Sequence, residues 1–439
     1  MSALARKTGP LSVLIEKHFL LWTGLFGIAI CLLLNQAPET FMVILQIGVI
    51  VNFVKDRRLI REIDVELVFP LCIILLPLVL NLLHPDELTK DQYARGLVWS
   101  LFLITSCWII AGKQIRNEAR WLLTATIVVL CLFFLIQTGA FLLKNHRREI
   151  FPLLQGHVSK PHLKALQEYI LKTRFAIFSN IHYFSLFAVI TLPVSLFCIW
   201  KIRRPFLKGL MSLCALCGAY LLLNTGSRPG WLALISAGLA VVPFARGKTR
   251  FFLLGVLFFI PLVLYSGDIL GFKTRINGLL FNLAKEERVT LWSDAWEMQK
   301  ASDWQGWLIG HGLGSFFHYF KTYSHLKSQF VFPHNFFLEI LFNSGVITLM
   351  TVIAGYASFY YALITLWFKT MDQGHKQLAV LLISVMTAHF VHTFLTLPFL
   401  TGRAILSLAI IVGAAIWLLR QEKHYARELS PAYDHNSQL

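Results

Sequence analysis

Apolar runs long enough to cross about 30 Å of hydrocarbon recur along the whole chain. They lie near residues 18–34, 41–54, 66–83, 96–111, 121–143, 176–199, 206–223, 231–245, 251–266, 345–367, 378–397 and 403–419. In lipid every backbone amide must find its partner within the segment, so runs of this length are expected to fold as about twelve membrane helices. With 56% hydrophobic and only 14% charged residues, the chain is too apolar for soluble domains. The expected fold class is an all-α polytopic membrane protein, interrupted once by a large loop that carries amphipathic helices.

The net charge of +17 could suggest nucleic acid as a partner, but the Lys and Arg residues fall in short clusters between apolar runs, as orientation signals do. Nucleic acid is therefore excluded and membrane lipid is the expected environment. The loops Lys55–Arg61, Lys113–Arg120, Lys201–Lys208, Arg246–Arg250 and Lys369–Lys376 are basic, whereas Asn35–Thr40 carries no charge of that sign. Both termini are then cytoplasmic. Parity puts the segment 144–175, the turn Asn224–Gly230, the segment 267–333 and the turn Thr396–Arg403 on the outer side.

The expected organisation is nine spans over residues 1–266, an outer loop or lid over 267–333, three spans over 334–420, and a polar, poorly ordered cytoplasmic tail over 421–439. The first apolar stretch has no small-residue cleavage site after it and is expected to remain as a helix. All seven cysteines lie inside apolar runs, which suggests neither a disulfide framework nor a thiolate metal site.

The outer loop of about 65 residues ends at Pro333-His334-Asn335, where apolar helix resumes. His334 thus lies near a helix start at a membrane surface. A positive helix end disfavours protonation there, so a neutral ring could accept a proton from an attacking hydroxyl. Arg228, in Asn224-Thr225-Gly226-Ser227-Arg228-Pro229-Gly230, lies in a tight turn on the same side. Its five donors match the oxygens of a phosphate or diphosphate. Arg288 lies in an amphipathic stretch, Glu286–Lys300, where the plain alternative is an ion pair with Glu286, Glu287 or Asp294. Arg174, just before the sixth span, is a third candidate cation. The segment 144–175 is also strongly basic against the orientation rule, and such a surface beside a bilayer would attract phosphorylated headgroups.

Other constellations are weaker. Gly310-His311-Gly312-Leu313-Gly314 lacks the strand and helix that make a glycine loop bind phosphate, and reads as a flexible turn beneath the lid. His389-x-x-His392 lies within a span and reads as packed or hydrogen-bonded there. No Asp-x-Asp occurs on the outer side, so paired carboxylates do not offer a divalent ion a place on a diphosphate. No cofactor or metal is expected, and fixed arginines would take that role.

In four pieces the chain resembles the O-antigen ligase and polymerase superfamily of bacterial inner membranes. These are Asn224 to Leu234, then Arg288-x-x-x-Trp292-x-x-Ala295-x-x-Met298, then Gly310 to Phe316, and finally His334-Asn335-Phe336-Phe337-Leu338-Glu339-x-Leu341-x-x-x-Gly345. Their order and spacing cover residues 170–350. The resemblance implies a glycosyltransferase of GT-C type at the periplasmic face, with an undecaprenyl diphosphate-linked glycan as donor and a sugar hydroxyl of lipid A-core as acceptor. It further implies inversion at the anomeric carbon without a metal, His334 as base, and Arg228, Arg288 and Arg174 as ligands of the diphosphate. Pro229 stands where a small residue is common in the family. The alternatives are a polymerase of the same superfamily and, in a different class, a transporter or flippase. Transport fits poorly, because it needs ionisable groups at the bilayer midplane whereas the candidates gather at one surface.

Overall fold

The computed structural model describes residues 119–146, 181–268, 271–281, 287–323, 332–396 and 402–436, together with Ile47. All regular structure among the described residues is helical. The chain divides into two compact units, Met1–Glu66 with Cys131–Ser179, and Leu67–Leu130 with Asn180–Leu439. The expected spans before residue 119, Arg174, and the loop 144–175 beyond His146 lie outside the described residues.

Helix α1 is Ala119–Asn145. Its part in the first unit buries Phe133, Phe134 and Gln137 and exposes Leu132 and Leu135, the one-sided pattern of a helix with one face in protein.

The second unit holds α2 (Ile181–Lys201), α3 (Pro205–Thr225) and α4 (Arg228–Val241), the last running on through a 3-10 turn to Phe244. Helix α5 (Lys248–Ser266) precedes the loop helices α6 (Phe272–Phe281), α7 (Glu287–Lys300), α8 (Trp304–Ile309) and α9 (Ser315–Tyr323). Helices α10 (Phe336–Lys369), α11 (Gln373–Thr396) and α12 (Gly402–Asn436) complete it. Among the described residues, α2, α3, α5, α10 and α11 are long and apolar enough to cross a membrane. This is a polytopic membrane protein.

Helix α11 is the centre of the bundle, packed on α4, α10, α2 and α12. Val352, Leu363, Ile383, Met386, Ile411 and Leu418 form a core against which α4's Ala240 and α2's Ile190, themselves partly buried, are packed. Helices α2 and α11 run antiparallel. Ser185 meets His392 at one end, and Lys201 Nζ donates to Gln377 Oε1 at the other. Helix α5 buries no residue and exposes Phe251, Phe252, Phe258 and Phe259, a face suited to acyl chains.

The expected amphipathic helix is α7. With α9 and α10 it closes a second small core of Leu291, Ala295, Met298, Phe316, Phe320 and Phe342. Each large side chain fully removed from water there contributes roughly 1.5–3 kcal/mol to holding the loop down.

Two expectations need correction. The Gly310–Gly314 stretch is a docked loop, not a flexible turn. Helix α10 breaks at Gly345 (φ 75°), and this frees the carbonyls of Phe342 and Asn343, which accept the amides of His311 and Gly312 at 2.9 Å each. A Cβ on Gly310 would meet the backbone of Asn343 and Ser344, and one on Gly345 the backbone of Leu308 and Ile309. Both positions therefore need glycine for space as well as for φ. The second correction is the tail after Arg420, which continues as helix to Asn436. Gln421, Glu422, Lys423 and Ala426 are good helix formers, and Glu422 Oε2 lies 2.6 Å from His375 Nδ1.

Candidate active site

The carboxyl end of α11 organises the site. The last carbonyls of a helix have no partner within it, and here two of them meet the candidate side chains. Arg288 Nη1 donates to Leu395 O at 3.1 Å, and His334 Nδ1 lies 2.9 Å from Thr396 O. A guanidinium from α7 and an imidazole from the start of α10 are thereby brought to one helix end. The Arg288 contact is made across 107 residues of chain.

His334 is held from several sides. Asn335 caps α10, its Oδ1 accepting from the amides of Phe337 (3.0 Å) and Leu338 (3.2 Å). His334 itself lies outside the helix with φ 51°, a left-handed conformation that histidine tolerates better than most residues. Such a backbone costs of order 1–3 kcal/mol and persists where its surroundings fix it. Trp292 Nε1 donates to Pro333 O at 2.9 Å on one side, and the Phe332 ring lies tilted against the imidazole, centroids 4.5 Å apart, on another.

Because a carbonyl only accepts, the bond to Thr396 puts the proton of the neutral ring on Nδ1 and leaves the lone pair on Nε2. Burial depresses the pKa of His334 below its ordinary 6.5. The Thr396 carbonyl opposes that shift, and the Arg288 charge adds to it. The ring is neutral near pH 7, as the sequence suggests, but burial is the leading cause where the sequence reading invoked the helix end.

Arg228 begins α4. Gly226 (φ 60°) ends α3, Ser227 caps α4 by accepting the Gly230 amide at 3.3 Å, and Pro229 occupies the first helical turn, where its missing N–H costs nothing. Pro229 is thus compatible with the turn that bears Arg228. The Arg228 side chain is half-buried. Its neighbour Ser227 donates to Ser185 Oγ on α2 at 3.1 Å, one turn along from His182. His182 in turn lies with its ring 6.3 Å from that of His334. The turn, the start of α2 and the His334 junction therefore share one end of the bundle.

Sequence reasoning singled out Arg228, Arg288 and His334; His182, Ser185 and Thr396, which the structure places at the same end of the bundle, carry only a tertiary signal. His389 and His392 are hydrogen-bonded within the bundle, to Ala404 O at 3.1 Å and to Ser185 Oγ at 2.6 Å respectively. An imidazole kept neutral beside the Arg288 guanidinium is a pairing that a displacement with an anionic leaving group can use.

Residues 213–353 match the family model described as O-antigen ligase, a stretch that contains Arg228, Arg288 and His334. No curated protein matches the chain.

Proposed function

From the O-antigen ligase family segment at residues 213–353, which supports the resemblance to the ligase and polymerase superfamily, we propose that this chain is an O-antigen ligase. In this reading it is a GT-C-type glycosyltransferase of about twelve spans in the bacterial inner membrane, with both termini cytoplasmic and the site periplasmic. The loop 267–333 acts as its lid and the final spans follow His334. The donor is an undecaprenyl diphosphate-linked glycan and the acceptor a sugar hydroxyl of lipid A-core, which completes lipopolysaccharide.

The observation that carries the proposal is the meeting of Arg288 and His334 at the end of α11. His334 Nε2 takes the proton of the acceptor hydroxyl, and the oxygen attacks the anomeric carbon. The bond from that carbon to the diphosphate oxygen breaks on the opposite face, so the configuration inverts. The electron pair leaves with the diphosphate, whose charge Arg228 and Arg288 stabilise, with Arg174 as a third ligand, and no metal is called for. General-base help contributes roughly 10²–10⁴ in rate, and one well-placed charge donor roughly 10²–10³. Losing His334 or either main arginine therefore takes transfer below detection. The basic loop 144–175 fits a phosphorylated core acceptor.

The test is purified protein given labelled undecaprenyl diphosphate-linked glycan together with lipid A-core. Label on lipid A-core supports ligation. Label that lengthens on the donor lipid alone replaces this reading with the polymerase of the same superfamily.

A further inference from the structure

Four buried polar side chains join the turn that carries Arg228 to the carbonyl that holds His334. Ser227 Oγ donates to Ser185 Oγ at 3.1 Å, and Ser185 Oγ lies 2.6 Å from His392 Nε2. His392 Nδ1 lies 3.1 Å from Thr396 Oγ1, and the Thr396 carbonyl receives the Nδ1–H of His334 at 2.9 Å. The series crosses from α4 to α2 to α11 to the start of α10, linking segments up to 207 residues apart.

None of these groups has water to fall back on. Ser185, His392 and Thr396 are 0% exposed and Ser227 is 4% exposed. Ser185 Oγ and Thr396 Oγ1 also reach the carbonyls of His182 and His392, but a buried ring nitrogen of His392 that lost its partner would carry the full desolvation cost, so the ring holds both links in place. There is little slack at the α4 end, where a Cβ on Gly230 would stand 3.1 Å from Ser185 Cβ. His392 is the hinge of the series, since its two ring nitrogens reach Ser185 on one side and Thr396 on the other. His389, one turn earlier on the same helix, turns instead to Ala404 O.

We infer that His392 is a positioning residue for the transfer reaction: through Ser185 and Thr396 it fixes the His334 base and the Arg228-bearing turn in one relation to each other. This rests on the roles proposed above for His334 and Arg228. A polar residue inside a membrane bundle is expensive, and a role in function is the default reason for one. Holding the base and the leaving-group clamp in register is that role here, because a displacement of about 1 Å in such a site can cost about 10²-fold in rate.

The test is a double-mutant cycle on kcat with labelled undecaprenyl diphosphate-linked glycan and lipid A-core, using the full chain in lipid nanodiscs. Ser227→Ala and His392→Ala are each expected to lower kcat about 10²-fold. Since both cut the same series, the double variant loses about the same factor rather than about 10⁴-fold, the product for independent sites. His392→Gln, which can still bond Ser185, recovers most of the rate, an outcome that a merely space-filling role does not give. If His392→Ala fails to fold, Ser185→Ala with Ser227→Ala completes the cycle. Multiplicative losses, or a Gln variant as poor as the Ala variant, overturn the inference. Full transfer by His334→Ala would instead overturn the proposed function itself, so the two failures are distinguishable.

Discussion

Alanine at Gly345 is the sharpest perturbation of the docked Gly310–Gly314 loop. At φ 75° and ψ 177° Gly345 sits in a region that essentially only glycine adopts, so alanine there costs no less than the roughly 1–2 kcal/mol of left-handed helical backbone, and its Cβ would press on the backbone of Leu308 and Ile309, which cannot rotate away as a side chain could. Relief of that overlap moves α8 off the break in α10. The amides of His311 and Gly312 then lose the Phe342 and Asn343 carbonyls, at about 1 kcal/mol for each bond. Together these come to roughly 3–4 kcal/mol against the docked state. At about 1.4 kcal/mol per factor of ten, the loop opens about 10²–10³ times more often. The small core of Leu291, Phe316, Phe320 and Phe342 still anchors α7 and α9, so the protein remains folded. Hydrogen exchange of the purified protein reads the effect directly, as lost protection at His311 and Gly312. The control is Gly271→Ala, where φ is 70° but nothing lies within 4 Å of the added carbon, so only the backbone term applies. Equal protection of His311 and Gly312 in the two variants would refute the claim that this loop is docked by backbone contact.

Further outcomes follow from the site. With the neutral imidazole of His334 as the proposed base and burial holding its pKa below 6.5, transfer is expected on a plateau by about pH 7 and to decline as the pH falls through a value under 6.5; a rate still climbing between about pH 7 and about pH 8 contradicts this. Arg288→Gln removes a charge that lowers that pKa, so the His334 imidazole is expected to take up its proton at a higher pH than in the wild type, read by NMR titration of the labelled ring rather than by activity. Arg288→Lys keeps the charge but not the fork that can reach Leu395 O and a phosphate together, and is expected to cost about 10²–10³ in kcat in the labelled-donor assay. Asn335→Ala removes the cap of α10 and lowers stability by about 1 kcal/mol, seen as a lower melting temperature that Asn335→Asp restores.

The sequence was most legible where physics is local. Apolar runs near 176–199, 206–223 and 251–266 became α2, α3 and α5 with ends shifted by a few residues, because desolvation of the backbone in lipid leaves helix as the outcome. The junction Pro333-His334-Asn335 was readable as a helix start for the same reason, since a proline and a capping residue act on their immediate neighbours. What was hidden depends on partners far along the chain. Nothing near Gly310 indicates that its loop pairs with a broken turn of α10, and the apolar run beginning at Gly345 starts at the break, nine residues after the helix itself starts at Phe336. His389 and His392 look alike in sequence, yet only His392 meets Ser185, which precedes it by 207 residues. Arg288 could be assigned to an amphipathic helix, but its acceptor, Leu395 O, is an unpaired helix-end carbonyl that no local pattern announces.

The account turns on Arg228, Arg288 and His334 acting on one molecule. A structure of the protein with undecaprenyl diphosphate bound tests that most directly. The diphosphate is expected within hydrogen-bonding distance of both guanidinium groups, on the Nε2 side of the His334 ring. A diphosphate bound elsewhere, or touched by one arginine while the other faces a different compartment, would contradict it.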